Sequence, residues 1–283
     1  MHVRSILPVL TGLAAGCAGG AAPGAPVPGA PAFSYVVPEP ATLTYERADT
    51  SVLTMEITGM GSMAIDVTLR TVAALGFEPG QAGGVQVRVN VTELEGNVAN
   101  AMAGTQRVSQ TPGPALLQVS ASGDVDVLEK PTLPTELAQV VGGESLYRDY
   151  FLQLPAEDVR QGAGWVDTVS VTEDTDGMRS TSETIIRSVW ARDTTVAGQS
   201  LRVVESTVDI TARVEGSSQG TRIEQQLAGN GTAVTLWDPR RHVVVARQER
   251  AEMSGTMALP DMGMSGMPVS MRTRSYMVLR PAG

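Results

Sequence analysis

Four kinds of residue are scarce in this chain, and each scarcity removes a class of chemistry. Cysteine occurs once, at Cys17, so no disulfide can form within the chain and its fold must rest on its core. Histidine occurs twice, at His2 and His242. A Ser/His/Asp hydrolase would have to use His242, which falls in a hairpin turn where an exposed polar residue is expected. No Gly-x-Ser-x-Gly elbow supplies the serine. Zinc and related sites lack their His and Cys ligands, so neither metal nor cofactor is expected and the chain reads as a non-enzyme. Positive charge is short as well: 21 basic residues face 30 acidic ones, Lys130 is the single lysine, and the net charge is −9. Nucleic-acid binding needs a basic footprint, as does adhesion to anionic headgroups; neither is expected. Aromatic residues make up only 4%, and their densest patch is Tyr147, Tyr150 and Phe151.

What is present begins with an ordered leader. A short basic start (His2, Arg4) is followed by an apolar run from Ile6 to Leu13 and then by Leu13-Ala-Ala-Gly-Cys17. A transmembrane helix needs about 20 apolar residues, and this shorter run is interrupted by Pro8 and Gly12. The order resembles a bacterial lipoprotein signal. That resemblance implies removal of residues 1–16 and lipid attachment at Cys17, with the membrane as a partner through the anchor. Each buried CH₂ contributes about 0.8 kcal/mol, so two or three acyl chains anchor stably where one does not. Ala18 stands where an Asp would resemble an inner-membrane retention signal, which implies an outer-membrane site facing the periplasm. Residues 17–40 are anchor and spacer; their Pro, Gly and Ala have no apolar period and predict an extended linker.

From Ala41 the period is two. Met63, Ile65, Val67 and Leu69 alternate with polar neighbours, as do Val85, Val87, Val89 and Val91. Glu78 to Gly84 reads as a loop, and 115–120 with 124–129 as a hairpin about Ser122-Gly123. Between Leu133 and Leu154 the alternation breaks. Pro134-Thr-Glu136 predicts a short helix ending at Gly142-Gly143, with a second piece over 144–152 stopped by Pro155. Strands resume at Trp165 and run through 204–214, 221–228, 232–238 and 242–253. A Met/Gly/Pro loop over 257–268 precedes a last strand at 269–279.

The two β-rich stretches resemble each other. Residues 113–129 lie over 231–247 without a gap, and Leu69-Arg-Thr-Val72 over Ile186-Arg-Ser-Val189, at offsets of 118 and 117. The expectation is mainly β: two tandem antiparallel repeats, 41–130 and 161–283, forming a curved sheet, half-barrel or sandwich and joined by a helical connector, 131–160. With the leader, the spacer, Leu154-Pro155, Gly164-Trp165 and Gly229-Asn-Gly-Thr-Ala-Val-Thr-Leu-Trp-Asp238, the chain resembles a group of secreted bacterial lipoproteins of unknown function. That resemblance implies a β-rich envelope domain and no assigned activity. By architecture alone there is an analogy to periplasmic lipid and lipoprotein carriers, whose curved sheet cradles acyl chains. It implies an apolar ligand with Tyr147, Tyr150 and Phe151 at its rim. An envelope protein as partner, with no small-molecule ligand, is the alternative.

Three further patterns carry little. Gly59-Met-Gly-Ser-Met-Ala64 fits a dinucleotide-loop spacing, but no helix follows it; a turn between strands is expected. The methionines at 55, 60 and 63 and at 253, 257, 262, 264, 267 and 271 are soft enough for Cu(I), yet no His or Cys accompanies them. An adaptable apolar surface is the reading. The carboxylate pairs Asp174/Asp176 and Glu249/Glu252 read as solvated charge in loops or on exposed strand faces.

Overall fold

The computed structural model describes residues 33–57, 61–100, 104–134, 145–155, 157–175, 177–218 and 221–281. In chain order they form β1 (Thr42–Ile57), β2 (Gly61–Pro79), β3 (Val85–Asn100), β4 (Gly104–Val108), β5 (Ala115–Val119), β6 (Val125–Glu129) and a helical turn α1 (Ser145–Arg148). There follow β7 (Gly164–Thr175), β8 (Met178–Val196), β9 (Gln199–Ser218), β10 (Thr221–Asp238), β11 (Val243–Leu259) and β12 (Met264–Leu279). All strands pair antiparallel in one sheet of order β6-β5-β3-β2-β1-β12-β11-β10-β9-β8-β7, with β4 beside β3. The sheet does not close: β6 and β7 end the path. The two halves meander the same way, and β12 stands between them, paired to both β1 and β11.

Residues directly opposite in an antiparallel pair share a face, so the register sorts side chains into rows across the inner face. One row runs Thr71, Arg47, Met277, Arg247, Thr235, Val204. The next runs Leu69, Asp49, Ser275, Glu249, Ala233, Ser206, Ser188. Two rows further on lie Leu53, Met271, Met253, Gly229 and Ile210. β9, at 20 residues, is about 65 Å long at 3.3 Å per residue, so one strand crosses all these zones.

Aromatic residues collect at one end. Every aromatic residue of the chain except Tyr276 lies in or against one core cluster with the valines of β3 and β5. Phe33 sits among Trp165, Trp190 and Trp237, with ring centroids 5.7, 5.6 and 6.2 Å away, in the edge and offset arrangements such rings prefer. Methionines collect toward the other end, where Met63, Met253, Met257 and Met271 pack on Met55, Leu227 and Val269.

Two departures from expectation have physical causes. The expected loop over 257–268 is mostly strand: β11 runs to Leu259, β12 starts at Met264, and the connection is Pro260 to Gly263. Gly263, at φ 68°, makes the tight reversal. Of the expected helical connector, residues 135–144 lie outside those described, and the second piece keeps one turn, Ser145–Arg148. Tertiary hydrogen bonds take over there: the Leu152 amide donates to the Tyr35 hydroxyl and the Leu154 amide to the Ser122 carbonyl.

Candidate functional site

The inner face of β7–β9 is left uncovered by the core and forms one side of a cavity of about 400 Å³. Val169, Val171, Ile186, Val208 and Ile210 supply its apolar wall, and Ser180, Ser182, Thr184 and Ser206 a hydroxyl wall. Opposite them stand Arg148, Asp149, Phe151, Leu152 and Gln153 of the connector, with Val125 of β6 and Arg247 and Glu249 of β11. A second concavity of about 740 Å³ lies on the other face of the same strands, between the row of Ser170, Glu183, Thr211, Ala228 and Ser254 and the row of Thr172, Thr181, Arg213, Gln226 and Thr256. The inner cavity alone adjoins the charged rows. Volumes of this size are those of small-molecule sites.

The glycines explain how the sheet can bend over this groove. Gly229, Gly231 and Gly255 all belong to inner rows. A Cβ on Gly255 would lie 1.8 Å from the Gln226 carbonyl oxygen, and one on Gly231 would lie 2.8 Å from a Val208 methyl. Strands that close together need glycine at the bend.

The charged rows are built from ion pairs within single strands and across to the connector. Arg47 bonds Asp49 through Nε (2.9 Å to Oδ1) and Asp149 through Nη2 (2.7 Å), and Arg247 bonds Glu249 through Nη2 (2.7 Å). Burial works against the Arg47 charge, but Asp149 and Asp49 outweigh it and hold its pKa above the ordinary arginine value. Arg47 Nη1, Arg247 Nε and Thr235 Oγ1 are buried and have no hydrogen-bond partner among the described residues. Glu249 is thus not solvated charge on an exposed face. Its parity with Ala251 and Met253 turns it inward, while Glu252, on the opposite parity, points out.

The expected rim residues stand at the aromatic end of the groove. Tyr147, Tyr150 and Phe151 are 1%, 2% and 5% exposed, and of the three only Phe151 lines the cavity. Tyr147 donates its hydroxyl proton to the Gly113 carbonyl at 3.2 Å. Tyr150 packs on Tyr45 and faces Arg47, and burial raises its pKa. Cys17 lies outside the described residues, as do Met60 and Asp176.

His242 is not an exposed turn residue. It is 3% exposed, at φ 58°, and its Nδ1–H donates to the Ser34 carbonyl at 2.8 Å. Burial lowers its pKa. It fastens the entering chain to the β10–β11 hairpin, whose turn Asp238 caps by accepting from the Arg240 and Arg241 amides. Tyr35 completes the fastening through its amide, which donates to the Ala121 carbonyl, and through its hydroxyl at Leu152. Phe33, Ser34 and Tyr35 fall inside the expected 17–40 spacer, but they are buried, and Phe33 and Tyr35 belong to the core; the linker expectation fails from Phe33 on. The only signal was two aromatics within a Pro/Gly/Ala stretch that otherwise holds none.

Among the described residues, no three His, Cys, Asp or Glu side chains gather as a metal-binding group. No protein-family model matches the chain, and no curated protein matches it either.

Proposed function

We propose that the chain is a membrane-tethered, non-catalytic envelope lipoprotein, lipidated at Cys17, whose rolled sheet binds a lipid or another apolar ligand in the inner-face groove. The observation that carries this reading is the inner cavity itself: Val169, Val171, Ile186, Val208 and Ile210 of β7–β9 face the inside of the sheet and line about 400 Å³ of open space. The leader supports the tether, and an outer-membrane site facing the periplasm follows from Ala18. The same-handed strand order of the two halves, with a β-bulge on the second strand of both the β5–β6 and β10–β11 hairpins, supports a tandem duplication.

A second reading, a protein-interaction lipoprotein without a small ligand, draws on the β7 edge. Among the described residues no further strand pairs with it, and Val166 is 66% exposed, which invites strand addition by a partner.

One experiment addresses both. The full chain is extracted from membranes in mild detergent and examined by native mass spectrometry. A stoichiometric acyl-containing adduct, together with loss of membrane fractionation in Cys17→Ala, is expected. A chain that carries no lipid, and that stays in the membrane without Cys17, overturns the ligand and the anchor in turn.

A further inference from the structure

The face of the sheet that turns away from the core carries a charge arrangement that strand pairing disfavours. Arg250 of β11 and Arg274 of β12 stand directly opposite each other, and like charges in that position destabilise a strand pair. Arg272, two residues before Arg274 and so on the same face, adds a third guanidinium. The three border one shallow hollow of about 330 Å³, with Asn230 and Thr232 of β10 beside them. A single carboxylate, Glu252, shares the hollow, and it pairs with Arg272 at 3.6 Å. Among the described residues no carboxylate pairs with Arg250 or Arg274. Arg250 instead donates from Nε to the Thr232 hydroxyl at 3.1 Å, toward β10 and away from Arg274. On β9, Asp209 and Glu205 are already held by Arg187 and Arg192. Two positive charges are thus left unneutralised side by side, in a chain whose net charge is −9. Departures from local rules of this kind are expected at functional sites. A carboxylate or a phosphodiester brings one negative charge and neutralises one arginine of the pair. A phosphomonoester carries about −1.5 to −2 near pH 7 and three acceptor oxygens, enough for both, and the planar guanidinium fork matches its oxygens. Thr232 and Asn230 then offer hydrogen bonds to whatever polar group the phosphate is attached to.

We infer that this hollow binds a phosphomonoester, held between Arg250 and Arg274 with Arg272 at its edge. The site lies on the face opposite the inner cavity and does not depend on what that cavity holds. Three side chains make a site for one group, not the broad basic footprint that nucleic acid requires. The bound dianion removes the repulsion, so the two arginines that destabilise the free protein stabilise the bound one.

The test compares a dianion with a monoanion. The full chain in detergent micelles is titrated calorimetrically with glycerol 3-phosphate, a monoester, and with dimethyl phosphate, a singly charged diester. The monoester is expected to bind about tenfold more tightly, the contribution of one charge-assisted hydrogen bond. That advantage should fade as pH falls through its second pKa, near 6. Arg250→Gln and Arg274→Gln are each expected to weaken monoester binding about tenfold while raising the thermal midpoint of the ligand-free protein. Loss of structure cannot produce that opposite pair of effects. A second arm dopes the micelles with phosphatidic acid, a lipid monoester, or with phosphatidylcholine, and follows the thermal midpoint. A rise with phosphatidic acid alone, without binding of glycerol 3-phosphate, upholds the site and places its phosphate on a lipid; binding of glycerol 3-phosphate places it on a soluble ester. Equal affinity for the two soluble phosphates, monoester binding that neither variant weakens, or no response in either arm overturns the assignment.

Discussion

At the scale of single residues, burial turns charge into structure. His242 is held neutral inside the protein, with its Nδ1 proton on the Ser34 carbonyl, and burial lowers its pKa below the ordinary value of 6.5. The unfolded chain therefore binds a proton that the folded chain refuses. Stability from this residue is full above the unfolded pKa and falls as pH drops below it. Chemical denaturation at pH 7.5 and pH 6 is expected to show a lower midpoint at pH 6. In His242→Asn, a residue that tolerates positive φ, that difference should shrink. A midpoint that moves equally in both proteins would mean His242 does not titrate on unfolding. The inward turn of Glu249 was open to the same parity argument that identified the strands, since Arg247, Glu249, Ala251 and Met253 alternate together. Reading Glu249 and Glu252 as a pair hid it, because residues three apart on a strand face opposite ways. His242 could not be placed in this way. Its partner is 208 positions away, and no local pattern announces it.

At the scale of elements, strand length and bending decide the shape. Val85 to Val91, Ala115 to Val119 and Val204 to Val214 were visible as strands because one face alternates apolar, throughout in the first two and but for Ser206 in the third. The ends were harder. Met257 to Met267 has the composition of a loop, yet it is mostly strand: Met257 packs against Met55 and Val269, and Met267, directly opposite it, is buried as well. Tertiary packing overrode composition there. The bending of β11 depends on Gly255, where any side chain would strike the backbone of β10. Gly255→Val is expected to destabilise the protein by roughly 2–4 kcal/mol, as overpacking and backbone displacement do. Thermal unfolding followed by circular dichroism would show it; an unchanged transition would mean that β10 and β11 can separate freely at this point.

At the scale of the whole molecule, the two halves share one core and are joined in the sheet by the pairing of β12 with β1. β12 pairs with β1 from Tyr45↔Leu279 to Met55↔Val269 and with β11 along most of its length. Outside the sheet the Arg280 guanidinium reaches Glu46, which also accepts from Arg70; the two arginines lower the Glu46 pKa. A chain that ends before Met264 is expected to lose the cooperative transition and to show two broad ones or none. A single sharp transition in that truncated chain would mean that the halves find each other without β12. The duplication pattern predicted two repeats joined by a helical connector over 131–160; the pairing of β1 with β12 that joins them in the sheet was not legible, because pairing between distant strands leaves no mark on either strand's alternation.

That arrangement sets the order of events in the life of the chain. β1 finds one neighbour at once, since β2 follows it through a short connection, while its other neighbour, β12, lies more than 200 positions away. Contacts so distant in sequence form late and slowly. The hairpins of each half can pair early, and the seam between β1 and β12 is the step that turns two meanders into one sheet.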